Sequence, residues 1–232
     1  MIAWWRQEVE RDGVLGTLRR FSALTCEFLR DSTPQRRRQR YGDVDYDWER
    51  RVDTTAATVG WRDRLAGMFL SPYQATDPAL FHEMLTSLDI DFREFTFIDI
   101  GSGKGRVLLM AAEYPFRRIV GVEILGNLHR VALGNIQRVQ GGAAQSAQVE
   151  ALCLDASQYE FPAEPLVVYL FNPLPEPGLK RMLRNLEDCV ARGAGPVFVL
   201  YHNPLLERVL SQSQVFTKKS SNHQYAVFEL RH

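Results

Sequence analysis

The stretch Asp99-Ile-Gly-Ser-Gly-Lys-Gly-Arg106 sets three glycines at alternate positions directly behind an apolar run. Glycine has no Cβ and accepts positive φ, so such a turn can bring bare backbone against a ligand. Its spacing can be tested against two phosphate-binding patterns. A nucleoside-triphosphate loop needs a glycine five places before its Gly-Lys pair and a hydroxyl residue after the lysine. Here those places hold Ile98 and Gly105. A dinucleotide loop needs Gly-x-Gly-x-x-Gly, whose third glycine permits close helix–strand packing. Here the third place holds Arg106. What remains is Gly-x-Gly-x-Gly, formed by Gly101, Gly103 and Gly105 with Ser102 inside it.

Groups able to do chemistry recur at the ends of the later apolar runs. "RIVGVE" ends at Glu123, and "ALCLD" ends at Asp155 with Ala156 next. "YLFNP" ends at Asn172-Pro173, and "VLYHNP" passes through Tyr201 and His202. Upstream, "SPYQATDP" holds Tyr73 and Thr76. A carboxylate offers two acceptor oxygens. An amide oxygen can accept from an amino group and stabilise positive charge developing on its nitrogen. His202 is the best-placed titratable group for a general base toward an oxygen acceptor. Each residue also has an ordinary use. Asp155 suits a helix N-cap, Asn172-Pro173 a turn opener, His202 a cap or an internal hydrogen bond, and Tyr73 and Thr76 a loop leading into a helix. Lys104 reads as a solvated loop charge and Cys153 as a core residue.

The ordered series resembles the class I S-adenosylmethionine-dependent methyltransferases from about Thr76 to His232. The resemblance rests on "FIDIGSGKGRVLLMAA", on Glu123 and Asp155 ending the next two strands, on the Asn-Pro pair after the fourth, and on a closing hairpin. It implies S-adenosylmethionine as cofactor. It assigns Asp99, Gly101, Ser102, Gly103 and Gly105 to the cofactor loop, Glu123 to the ribose hydroxyls, and Asp155 with Ala156 to the adenine. Tyr73 and Thr76 would belong to a lid near the methionine carboxylate. Asn172-Pro173-Leu174-Pro175 is similar to the Asn/Asp-Pro-Pro-aromatic motif of amino-methylating members, with the second proline displaced. In that motif Asn172 would align an amino nitrogen, and Tyr201 would wall the acceptor pocket. A shorter likeness reaches the Dot1-like lysine methyltransferases, without a clear substrate-channel motif of that branch.

These residues need a sheet to hold them. "FTFIDI", "RIVGVE", "AQVEALCLD", "PLVVYLFNP" and "GPVFVLYHNP" are short apolar runs separated by helix-like stretches. That alternation predicts βαβ units and a parallel sheet buried on both faces. Asp77 and Pro78 mark a helix start, with Leu80, Phe81, Met84, Leu85 and Leu88 as its buried stripe. "SQVFTKKS" and "HQYAVFEL", joined by Ser220, Ser221 and Asn222, predict an antiparallel hairpin. The expected fold is an α/β, Rossmann-like, doubly wound sheet of seven strands. Residues 1–75 are expected to form a helical extension and lid, and residues 76–232 the methyltransferase domain.

The whole chain sets outer bounds. It has 232 residues, zero formal net charge and three separated cysteines, Cys26, Cys153 and Cys189. Neither a disulfide framework nor a metal centre is expected from that spacing. No run suits a signal peptide or a membrane span, so a cytoplasmic location is expected. Charge balance gives no global pull toward nucleic acid. The run Arg36, Arg37, Arg38, Arg40 is the one feature favouring a nucleic-acid-binding or scaffold protein on the same fold. A dehydrogenase is disfavoured by Arg106 and the terminal hairpin. The methyl acceptor stays open between protein, nucleic acid and small molecule, and an oxygen acceptor would call on His202.

Overall fold

Apolar runs of five or six residues, bounded by turn-forming residues, are too short for stable helices and suit buried strands. A computed structural model describes residues 44–55, 75–140 and 148–231. Every described residue lies in one compact unit, residues 43–232. The strands are β1 (Thr96–Ile100), β2 (Arg118–Glu123), β3 (Gln148–Cys153), β4 (Leu166–Leu170), β5 (Val197–His202), β6 (Phe216–Ser221) and β7 (Tyr225–Leu230). They form one sheet in the order β3-β2-β1-β4-β5-β7-β6. β1 to β5 are parallel, and β7 inserts antiparallel between β5 and β6.

The helices are α1 (Val44–Arg50), α2 (Pro78–Thr86), α3 (Arg106–Ala111), α4 (Gly126–Gln140), α5 (Glu176–Ala191) and α6 (Glu207–Ser211). α2 begins where the sequence indicates: Asp77 accepts from the Leu80 N–H at 2.9 Å, and proline follows in the first turn. One core holds Phe81, Met84 and Leu85 of α2 with Phe97, Val167, Tyr169 and Leu200 of the sheet. The other holds Leu179, Met182 and Leu186 of α5 with Ile98, Val168, Val199 and Tyr201. Alternation along each strand sends neighbouring residues to opposite faces. Winding reverses between β1 and β4, whose register pairs Asp99 with Tyr169 and Ile100 with Leu170. The carboxyl ends at such a reversal form the usual ligand crevice of this architecture.

Three local expectations are corrected. Cys153 is exposed rather than in the core, because β3 is an edge strand and Cys153 is its last residue. Lys104 is buried rather than solvated, at 4% exposure. Ser220 and Ser221 belong to β6, not to the turn. The turn is made by Asn222, whose Oδ1 accepts from the N–H groups of Gln224 and Tyr225 at 2.8 and 2.9 Å. That side chain closes the reversal locally and frees the serines to pair in the strand.

Candidate functional site

The glycine loop links the end of β1 to α3. Gly101, Gly103 and Gly105 have φ of 82°, 53° and 83°, a region that side-chain-bearing residues rarely adopt. At Gly101 a Cβ would also lie 2.5 Å from the Pro173 Cβ. The loop and the Asn172-Pro173 turn therefore abut across the β1/β4 reversal. The Gly103 N–H donates to Glu123 Oε2 at 2.8 Å, and the Leu125 N–H donates to Oε1 at 2.7 Å. The end of β2 thus carries a carboxylate fixed against the loop. The N–H groups of Gly101 and Ser102 both donate to the Val122 carbonyl. Ser102 Oγ is buried in the space that the missing Cβ of Gly121 leaves, without a hydrogen-bond partner among the described residues.

Asp99 is 2% exposed. Burial, and secondarily the Glu123 charge, hold its carboxyl well above the usual carboxylate range. Glu123 is also pushed up by burial, against the lowering effect of its backbone donors. Two buried carboxyls beside a bare glycine turn suit a ligand that brings a cationic group and hydroxyl donors. Asp155 caps the short turn Ala156–Gln158, its Oδ1 accepting from the Ser157 N–H at 2.8 Å, and Ala156 is buried. Ile124, 51% exposed directly after Glu123, offers an apolar face at the same strand ends. The sequence reading missed it, since a single isoleucine after a strand carries no pattern.

The remaining candidates separate onto two faces of the sheet. On one face, Tyr201 Oη donates to Asn172 Oδ1 at 2.9 Å and accepts from the Leu206 N–H at 3.3 Å. Asn172 Nδ2 donates to the Asn203 carbonyl at 2.6 Å, and Asn172 has φ of 45°. On the other face, Thr76 Oγ1, Tyr169 Oη and His202 Nδ1 form a chain with steps of 2.9 and 2.8 Å. The Phe171 ring stacks on His202 at 3.9 Å. Burial lowers His202 to about 4, against the raising effect of Asp77, so the ring is neutral at ordinary pH. Tyr169, not singled out in the sequence, joins Thr76 to His202; its place opposite Asp99 in the β1–β4 register becomes visible only when the sheet is assembled. Tyr73, the run Arg36–Arg40 and most of "DTTAATVGW" lie outside the described residues.

Among the described residues, no group of His, Cys, Asp and Glu could hold a metal ion, and no helix is long and apolar enough to cross a membrane. No protein-family model matches the sequence. No curated protein matches it. Solved structures do. Escherichia coli yhhF, described as a candidate methyltransferase, superposes with a TM-score of 0.50 at 13% identity, over 69% of this chain and 87% of its own. A candidate methylase from Haemophilus influenzae gives 0.48 at 14% identity over 69% and 95%. An RNA methyltransferase from Salinibacter ruber, in complex with S-adenosylhomocysteine, gives 0.40 at 20% identity over 67% and 91%. At these identities the likeness is one of fold.

Proposed function

We propose that this chain, which has the Rossmann-like fold of the class I S-adenosylmethionine-dependent methyltransferases, transfers a methyl group from S-adenosylmethionine to an amino nitrogen. The observation that supports the reading is the close packing of the glycine loop against the Asn172-Pro173 turn, where a Cβ on Gly101 would lie 2.5 Å from the Pro173 Cβ. The glycine turn and the Asn172 amide are thus neighbours at the sheet's reversal.

The residues present fit the cofactor. Asp99, buried near the carboxyl end of β1, would take the ammonium of the methionine part. The Glu123 carboxylate, fixed by the N–H groups of Gly103 and Leu125, would accept from the ribose hydroxyls. Ile124 would lie against the adenine, and Asp155 would accept from its amino group through the oxygen not used as a cap. Thr76 and Tyr73 remain the lid candidates, and Ser102 and Ala156 would pack around the loop. S-adenosylmethionine supplies a methyl carbon already activated by its sulfonium, so alignment and exclusion of water are the protein's main tasks.

The acceptor side follows from hydrogen-bond direction. The Leu206 N–H donates to Tyr201 Oη, which directs the phenol proton to Asn172 Oδ1. Nδ2 is held by the Asn203 carbonyl, so the amide has one orientation, and Oδ1 keeps a second lone pair for an amino N–H. That oxygen would orient the nitrogen and stabilise the charge it gains. The oxygen-acceptor alternative needs His202 as base, and a ring at about 4 that is already bonded to Tyr169 is a weak proton acceptor.

The test is transfer of labelled methyl from S-adenosylmethionine to fractionated cell extract. We expect label recovered as an N-methylated amine after acid hydrolysis of the product, and a rate roughly 100-fold lower in Asn172→Ala with unchanged affinity for S-adenosylhomocysteine. Label recovered as an O-methyl ether or a base-labile methyl ester, or full activity in Asn172→Ala, would overturn the amino-nitrogen reading.

A further inference from the structure

The glycine loop carries two long cations, and both are buried: Lys104 is 4% and Arg106 2% exposed. Both reach residues 46–55. Lys104 Nζ donates to Asp53 Oδ1 at 2.6 Å. Arg106 Nε donates to Thr54 Oγ1 and Nη2 to Thr55 Oγ1, each at 2.7 Å, and Nη2 lies 3.3 Å from Asp47 Oδ1. The guanidinium sits over the Tyr46 ring, 4.7 Å from its centroid. Asp47 Oδ2 accepts from the N–H groups of Thr54 and Thr55 at 2.7 Å, which shapes the segment around the guanidinium. Asn135, fully buried on α4, joins the network. It exchanges hydrogen bonds of 3.1 and 2.9 Å with the Asp53 peptide and donates to the Lys104 carbonyl at 3.0 Å.

Buried charges cost free energy unless they are paired and hydrogen-bonded. A loop that needs only glycines to admit its ligand has no use for two of them. They flank Gly105, and the network joins their side chains and one loop carbonyl to a segment distant in sequence. We propose that Lys104 and Arg106 are positioning residues that clamp residues 46–55 onto the cofactor loop, so that docking of this segment and cofactor binding reinforce each other. The inference rests on the reading of this loop as the S-adenosylmethionine site. Its physical basis is entropy: glycines have the most backbone freedom to lose, and holding the loop on either side of Gly105 lowers the ordering cost left for the ligand. Coupling of this kind is reciprocal, so bound ligand must stabilise the docked segment by the same factor.

Two measurements test it on the full chain, with S-adenosylhomocysteine as the probe. The Asp53 N–H donates to Asn135, so its hydrogen exchange reports docking directly. We expect S-adenosylhomocysteine to slow exchange at residues 53–55. We also expect Asp53→Ala and Arg106→Lys each to weaken its binding by about fivefold or more. Asp53 is 59% exposed, so its truncation opens no cavity, and a thermal melt of each variant checks that it remains folded. Lysine cannot reproduce the guanidinium fork, so the conservative Arg106→Lys is not expected to restore affinity. Wild-type affinity in both variants, with exchange at residues 53–55 indifferent to the ligand, would overturn the proposal and leave the segment a structural cover. A wild-type chain that does not bind S-adenosylhomocysteine would overturn the cofactor reading instead.

Discussion

At Asp99, stability opposes the cofactor role proposed for the residue. Its carboxyl is buried and raised well above the ordinary range, so ionising it opposes folding unless a cation arrives. For a raised carboxyl, the stabilising contribution is complete below the unfolded value of 3.8 and is lost as pH rises through the folded value. Asp99→Asn removes that penalty. We expect the ligand-free variant to melt about 3 °C above wild type at pH 8, with the gap closing by pH 4, while its affinity for S-adenosylhomocysteine falls. Thermal melts across pH and one titration check both. His202 works in the opposite direction. Its folded value of about 4 lies below the ordinary 6.5, so wild type loses stability as pH drops between those values, and His202→Gln is expected to lose less over that window. At this scale the sequence was only partly legible. Glycines and strand-end carboxylates announce themselves by spacing. The burial of Lys104 and Arg106 does not, because their partners lie about fifty residues upstream and meet them only in the folded chain.

Elements fix where these groups meet. The Asn172-Pro173 turn and the glycine loop touch because β1 and β4 are neighbours in space, although β2 and β3 separate them in sequence. Gly101→Ala probes that contact. A φ of 82° and a 2.5 Å approach to Pro173 Cβ both oppose a methyl group there. We expect a loss of about 2 kcal/mol in stability, read by denaturant unfolding, together with loss of S-adenosylhomocysteine binding. The strands were legible because parallel strands buried on both faces read as continuous apolar runs. The hairpin turn was legible only to within two residues, since serine pairs in a strand as readily as it turns, and the Asn222 side chain decided the boundary. The separation of Asn172 and His202 onto opposite faces was not legible. It depends on strand alternation at Tyr201 and His202, where a shift of one residue exchanges the faces.

For the whole molecule, the seven-stranded order with one antiparallel strand next to the edge gives the fold, and the fold leaves the acceptor open. Neutral overall charge gives no electrostatic preference for nucleic acid. The ligand of the glycine loop is the point to test first: Glu123 accepts from the Gly103 N–H there, and the Asn172-Pro173 turn abuts Gly101. The purified chain should therefore be titrated by calorimetry with S-adenosylhomocysteine and, in parallel, with NAD. We expect one S-adenosylhomocysteine site, weakened about tenfold or more in Glu123→Gln, and no heat from NAD. Saturable binding of NAD with no response to S-adenosylhomocysteine would contradict the assignment of the loop and the function built on it.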